Sequence, residues 1–270
     1  MVGIVRELIS YPVKGCAGVS VADAMLTPAG LEHDRAFMVT GTDGSFRSQR
    51  RDPRLALIRP AVAGGRLVLR APGMAELGVG IDLAARRREV TLFGDRYQGI
   101  DLGKDAAGWL SSFLGEPSRL VRVPPEHARV VDGWRAGTSG YADSSPVHAL
   151  SLATLRDLNR RLETPLPMDR FRPNIVIDGW DEPYREDRVR TVSIGGAELA
   201  FAKLAIRCAV TMVDQDSGAK AGPEPLRTLA AYRRVQGGVA FGAKFSVVRP
   251  GKLSTGDELT VTTWHDPPTT

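Results

Sequence analysis

Cysteine is almost absent from this chain: Cys16 and Cys208 are the only two among 270 residues. Two thiols cannot build a disulfide framework, a four-cysteine zinc site or an iron–sulfur cluster, although one bridge between them is open in principle. Histidine is as sparse. His33, His127, His148 and His265 are scattered, with no H-x-x-x-H pair, so zinc is not expected. Aromatic residues make up only 6 % of the chain. A basic protein that bound nucleic acid would cluster its cations and interleave aromatics among them. Here a net charge of +5 and a pI near 9.5 come from mixed charges. The longest basic run, Arg86-Arg87-Arg88, reads as a solvated strand face or turn, and no nucleic-acid partner is expected. No stretch of 18 consecutive apolar residues occurs, nor a basic segment followed by an apolar leader. The expectation is a cytoplasmic, reduced protein with no membrane partner. There is no G-x-S-x-G elbow. Gly237 to Lys244 approaches a phosphate-binding loop, but its lysine falls one place late and no Ser or Thr follows.

What is present favours strands. Gly 29 and Pro 18 imply many turns, and the hydrophobic pattern alternates over short runs. Strands are predicted over 2–9, 19–27, 35–40, 57–63, 66–71, 81–83, 89–93, 96–100 and 120–123. The turns Asp43-Gly44, Gly64-Gly65 and Gly94-Asp95 fall between them, and Pro28 to Leu31 reads as a turn. Trp109, Leu110, Phe113 and Leu114 form one helical face closed by Gly115. Residues 126–145 lack a period and read as a long loop, of a length that is uncommon and often functional. Ser151 is an N-cap for a helix with Leu152, Leu155, Leu158 and Leu162 on one face. Later strands are predicted over 175–177, 192–194, 197–206, 241–248 and 258–263, and a short helix over 223–234. Residues 265–270 read as a frayed tail. A weak boundary near 115–122 divides the chain into units of 1–118 and 119–265.

The most informative stretch runs from Arg207 to Arg234. The strand 197–206 delivers Cys208 with Arg207 beside it, and an acidic turn, Asp214 to Gly218, follows. An adjacent arginine favours the thiolate, which is both nucleophile and soft metal ligand. The bland alternative is a buried structural cysteine. Four more short stretches stand out: Tyr11-Pro12-Val13-Lys14-Gly15-Cys16, Gly30 to Arg35, Asp143-Ser144-Ser145-Pro146, and Phe171-Arg172-Pro173-Asn174. Lys14, Arg35 and Arg172 are donors suited to anions. Equally, Lys14 can be a surface lysine, Arg35 and Arg172 can pair with Asp34 or Asp169, Ser144 can cap a turn, and Asp214 and Asp216 can serve only their loop.

R-C-x-x-T-x-V-D-x-D-S-G followed by E-P-L-x-T-L-x-x-Y-R resembles the core of the MOSC domain, and all five stretches occur in that family's order. Over its length the chain is similar to the branch that includes the amidoxime-reducing components. The resemblance implies a mixed α+β, mainly β fold: a MOSC β-barrel with peripheral helices plus a β-rich N-terminal domain, 1–118, whose first strands also contribute to the cleft. It implies a molybdenum–molybdopterin cofactor, with Cys208 as metal ligand and catalytic centre. The implied cofactor-binding set is Lys14, Gly15, Arg35, Ser144, Ser145, Arg172, Asn174, Ile206, Arg207 and Lys244. Two positions depart from the family pattern: Gly15 stands where relatives have serine, and Lys244 falls in an altered Phe-Gly segment, free to reach a phosphate or solvent. The implied activity is reduction of small N-hydroxylated substrates, amidoximes and hydroxylamines, to amines. Its electrons come from a separate donor protein of the flavin reductase, ferredoxin or cytochrome b5 type. The alternative is a sulfur or cofactor carrier with a persulfide on Cys208.

Overall fold

A computed structural model describes residues 2–265. Seven strands close into a barrel. Going round it, Val147–Ser151 pairs with Ile175–Asp178, then come Gly3–Ser10, Glu258–Trp264, Val189–Ile194, Ala197–Arg207 and Gly238–Arg249, and the last pairs back onto Val147–Ser151. The side-chain period of a strand turns one face of each inward, and Val5, Leu8, Val147, Ala149, Ile175, Ile177, Val192, Ile194, Leu199, Phe201, Ala243, Phe245 and Leu259 meet there in one core. Because the last strand pairs back onto the first, the barrel presents no free edge among these strands.

The second unit is built on a five-stranded sheet in the order Arg87–Leu92, Asp95–Asp101, Ser118–Arg122, Phe37–Gly41, Val13–Lys14. A three-stranded meander, Arg59–Ala63, Arg66–Arg70 and Leu77–Gly80, and the helix Gly103–Leu114 pack on it. The apolar face of the helix, Trp109, Leu110 and Phe113, joins Cys16, Phe37, Leu55, Leu67 and Leu69 in a single core. Gly115 ends that helix at φ +78°, its N–H donating to Ser111 O, as a C-terminal glycine does.

The two units interlace. Gly3–Ser10 belongs to the barrel, the chain passes to the second sheet at Val13–Lys14, and Val19–Val21 returns to pair with Gly3–Ser10. Ser118–Arg122 pairs along its length with Phe37–Gly41. Tyr11 to Cys16 therefore runs along the seam between the two units.

The structure differs from the sequence reading in several places. Residues 19–27 form two short strands, Val19–Val21 and Asp23–Thr27, and Gly30–Leu31 pairs with the second. The strand predicted at 81–83 lies at Leu77–Gly80, where Gly78 and Gly80 dilute the alternation. The long loop holds a two-residue ladder, Val130–Val131 with Gly137–Thr138. The helix after the cysteine spans only Leu226–Ala230, and Leu162 lies beyond the helix Leu152–Asn159 that Ser151 caps by accepting from Thr154 N. The tail beyond His265 lies outside the described residues.

Candidate functional site

A cleft of about 310 Å³ opens along the seam. Of the residues expected from sequence, Lys14, Gly15, Arg35, Ser145, Arg172, Asn174, Ile206, Arg207, Cys208 and Lys244 all line it. Ser144 stands just behind, its Oγ accepting from Lys244 Nζ at 2.6 Å. Lys14, Arg35, Arg47, Arg50, Arg172, Arg207 and Lys244 supply seven cations to the wall, against the single carboxylate of Asp143. A concave wall of one sign focuses its field into the cleft and favours an anion there.

Each cation is positioned by local structure. Arg35 and Arg172 both adopt left-handed backbone, at φ +47° and +55°, and both guanidinium carbons lie 4.3 Å from the Tyr11 ring centroid. Arg35 also donates to Asp34 Oδ2 at 2.6 Å and to Arg172 O at 3.3 Å. Arg172 reaches Gln215 Oε1 at 3.4 Å. Of the two pairings open from sequence, Arg35 thus takes Asp34, whereas Arg172 takes an amide and a ring. Arg207 ends the long barrel strand, and burial lowers its pKa to about 10. One of its nitrogens donates to Phe171 O at 2.7 Å, while Nε has no partner. Lys14 is buried under the rings of Phe46 and Phe93 and pairs with Asp143. Burial lowers the Lys14 pKa, partly offset by Asp143. Desolvation raises that of Asp143, but Lys14 and Lys244 outweigh it and hold the carboxyl well below the usual range.

Asn174, 1 % exposed, is the hub of the floor. Its amide nitrogen donates to Ile9 O at 3.1 Å and to Asp34 Oδ1 at 3.0 Å, and its Oδ1 accepts from His148 N at 3.1 Å. Both amide hydrogens are committed to protein, so Asn174 holds the floor together and leaves a ligand one lone pair at most.

The two cysteines part company here. Cys16 is fully buried, among Phe37, Leu55 and Ile58, and burial pushes its pKa up to about 12. Cys208 is partly exposed in the cleft wall, between the end of the strand Ala197–Arg207 and the single turn Ala209–Met212. Its carbonyl accepts from Thr211 N and Oγ1 at 3.0 and 2.9 Å, which fixes the backbone behind the sulfur. Both thiols are free.

Sequence reasoning missed Phe46, Arg47, Gln49, Phe93, Asp143 as a wall residue, and His148. The signal for His148 was a histidine inside an otherwise apolar strand. Burial, together with Arg207 and Lys244, drives its pKa well below 6.5, so the ring is neutral. Gln49 and Gln215 join face to face at 3.1 and 3.3 Å across the two units, a pairing of residues 166 positions apart that no periodicity announces. Asp214 serves its own loop, accepting from Ser217 N and Oγ.

The wall fits a large anionic, hydrogen-bonding ligand on its own evidence. Ser145 Oγ, His148 Nε2 and Arg207 Nε are buried in it without partners, and buried polar atoms are ordinarily satisfied. Lys244 offers a test of this charge. Burial, opposed by Asp143, lowers its pKa from 10.5 to about 8. Between those values the unfolded chain keeps a proton that the folded chain has shed, so the empty protein gains stability as pH rises through that window. An anion that needs the charged amine is held below it. Titration calorimetry with inorganic phosphate should show affinity falling about tenfold as pH rises past 8, roughly one charge-assisted hydrogen bond. In Lys244→Met that fall should vanish.

Comparison with known proteins identifies the family of the chain. The MOSC N-terminal beta barrel domain matches residues 2–117 and the MOSC domain matches residues 136–260. Mitochondrial amidoxime reducing component 2 of Rattus norvegicus is 36 % identical over 281 residues, covering 96 % of this chain and 83 % of the relative. Mitochondrial amidoxime-reducing component 1 of Homo sapiens is 36 % identical over 280 residues, covering 96 % and 82 %. The molybdenum cofactor sulfurase of Oryza sativa subsp. japonica is 33 % identical over 261 residues, covering 88 % of this chain and 32 % of that protein. With both domains matched and its similarity to the amidoxime-reducing components running through nearly the whole sequence, the chain belongs to the MOSC family and is homologous to those components.

Proposed function

We propose that the protein binds the molybdenum–molybdopterin cofactor in this cleft through Cys208 and reduces N-hydroxylated compounds, amidoximes and hydroxylamines, to the corresponding amidines and amines. The observation that carries the reading is an accessible thiol set in a wall of seven cations beside unpartnered buried donors. When bound, the cofactor supplies two-electron oxygen-atom transfer chemistry, the kind of step that side chains alone do not perform. Lys14, Arg35, Arg172, Arg207 and Lys244 hold its phosphate and anionic edges, and the Ser145 hydroxyl adds a donor. Arg35 and Arg172, braced on Tyr11, resist displacement when the ligand enters.

The reduction adds two electrons and two protons to the N–OH group, breaks the N–O bond and releases water. The electrons come from a separate donor protein. Burial lowers the pKa of the Lys244 amine to about 8, so it releases a proton near neutral pH more readily than an ordinary lysine, and burial lowers that of Lys14 in the same direction. Desolvation at their nitrogens is the cause, and Asp143, hydrogen-bonded to Lys14, keeps that amine oriented into the cleft.

The test is elemental analysis of protein from a cofactor-overproducing host, followed by turnover of benzamidoxime with a reduced dye as donor. The expected result is about one molybdenum per chain and formation of benzamidine. Loaded protein that reduces no N-hydroxylated compound overturns the reaction. The similarity to the rice sulfurase supports a second reading, a sulfur carrier. Mass spectrometry separates the two, since a carrier gains the mass of one sulfur on Cys208 without molybdenum.

A further inference from the structure

Anion binding does not account for the one exposed aromatic ring in the wall. Phe93 lines the cleft, exposes 48 % of its surface and belongs to neither apolar cluster of its own unit. It opens the two-residue turn between the paired residues Leu92 and Asp95. Its φ is +55° and that of Gly94 is +95°. A tight hairpin with both central residues left-handed is the place for Asn, Asp or Gly, which reach that region cheaply. Phenylalanine is a costly choice there, and burial does not offset the cost.

What Phe93 touches explains its position. The ring of Phe46 lies 5.1 Å away, edge-on at 64°, and Lys14 Nζ stands 4.9 Å from the Phe93 centroid. Phe46 is fixed from behind: its N–H donates to Thr91 O, and its ring packs against the cluster of Met38, Val90 and Leu92. Phe46 is therefore a rigid wall, and Phe93 an open ring held against it by a strained backbone. Strain retained at the mouth of a cleft points to function rather than to folding.

We infer that Phe93, braced by Phe46 and Lys14, is the specificity-determining platform of the cleft, and that it stacks a planar aryl group of the substrate. The protein then prefers aryl N-hydroxy compounds to alkyl ones. The inference rests on the reductase reading for the reacting end of the substrate and on the platform alone for its ring. An aromatic ring gains an offset or edge-to-face contact here that a methyl group cannot make. That contact corresponds to about a tenfold preference, or about 1.4 kcal/mol.

The experiment compares cofactor-loaded wild type, Phe93→Ala and Phe93→Asn on benzamidoxime and acetamidoxime. Turnover is read with a reduced dye and binding by ligand-observed NMR. In wild type the KM for benzamidoxime should lie about tenfold below that for acetamidoxime. Both variants should erase the difference by raising the benzamidoxime KM alone, while any change in kcat from uncovering Lys14 falls on both substrates alike. Phe93→Asn suits the left-handed turn and should melt at or above the wild-type temperature, so its lost affinity cannot come from unfolding. Equal KM changes for both substrates would mean that Phe93 merely covers Lys14, which overturns the platform, as does a wild type with no aryl preference. If wild type turns over neither compound, the reductase reading fails and binding still decides the platform. Tighter benzamidoxime binding in wild type but not in the variants supports it, and equal binding overturns it.

Discussion

Cys208→Ala is expected to fold normally yet retain no more than background molybdenum, whereas Cys16→Ala keeps the metal. The two thiols have opposite surroundings. Cys208 stands in the cleft wall on a backbone pinned by Thr211, and a solvent-facing methyl in its place disturbs no packing. Cys16 fills a position with no exposure at all. Removing its sulfur leaves a small void that costs about 1 kcal/mol, without touching a ligand. Elemental analysis and thermal melts on the two variants, prepared side by side, check both halves. Equal loss of metal from both would mean that the wrong sulfur has been assigned.

Asn174→Ala is expected to destabilise the fold by about 3 kcal/mol or more and to loosen Arg35. The side chain bridges Ile9, Asp34 and His148, and each bond lost leaves a buried partner unsatisfied, at about 1–3 kcal/mol apiece. Asp34 is the carboxylate that orients Arg35, so the damage reaches the cleft wall. Asn174→Asp should be worse, because it sets a second buried carboxylate beside Asp34. Denaturant melts measure the first effect. Phosphate affinity of the surviving folded fraction measures the second, and a variant with unchanged stability would remove Asn174 from its place as hub.

Much of this was readable from the chain. Cys208, its arginine and the strand that carries them follow from one apolar run and one short motif, and Lys14, Arg35 and Arg172 stood in segments whose order resembled a known family. The barrel strands declared themselves wherever alternation was strong, as at Val192 and Ile194 or Ala243 and Phe245. What stayed hidden depends on distance along the sequence. Nothing near Gln49 announces Gln215, and nothing in the turn at Phe93 says that it overhangs Lys14. Asn174 shows a related limit. An amide's chemistry suggests ligand reading, but which atoms remain free is decided by residues 26 and 165 positions away. Glycines at Gly78 and Gly80 blurred a strand that tertiary pairing nonetheless enforces.

The interlacing of Gly3–Ser10 into the barrel sets the order in which the molecule can mature. That strand sits between Ile175–Asp178 and Glu258–Trp264, so the ring shuts only when the two extremes of the described chain find each other. Pairings of such long range form late and slowly, and until then the unpaired rims invite aggregation. Excising residues 136–260 as a minimal unit removes the keystone strand and should yield an open, sticky sheet. Loading of any large prosthetic group into the cleft is accordingly expected to await closure of that ring by Glu258–Trp264.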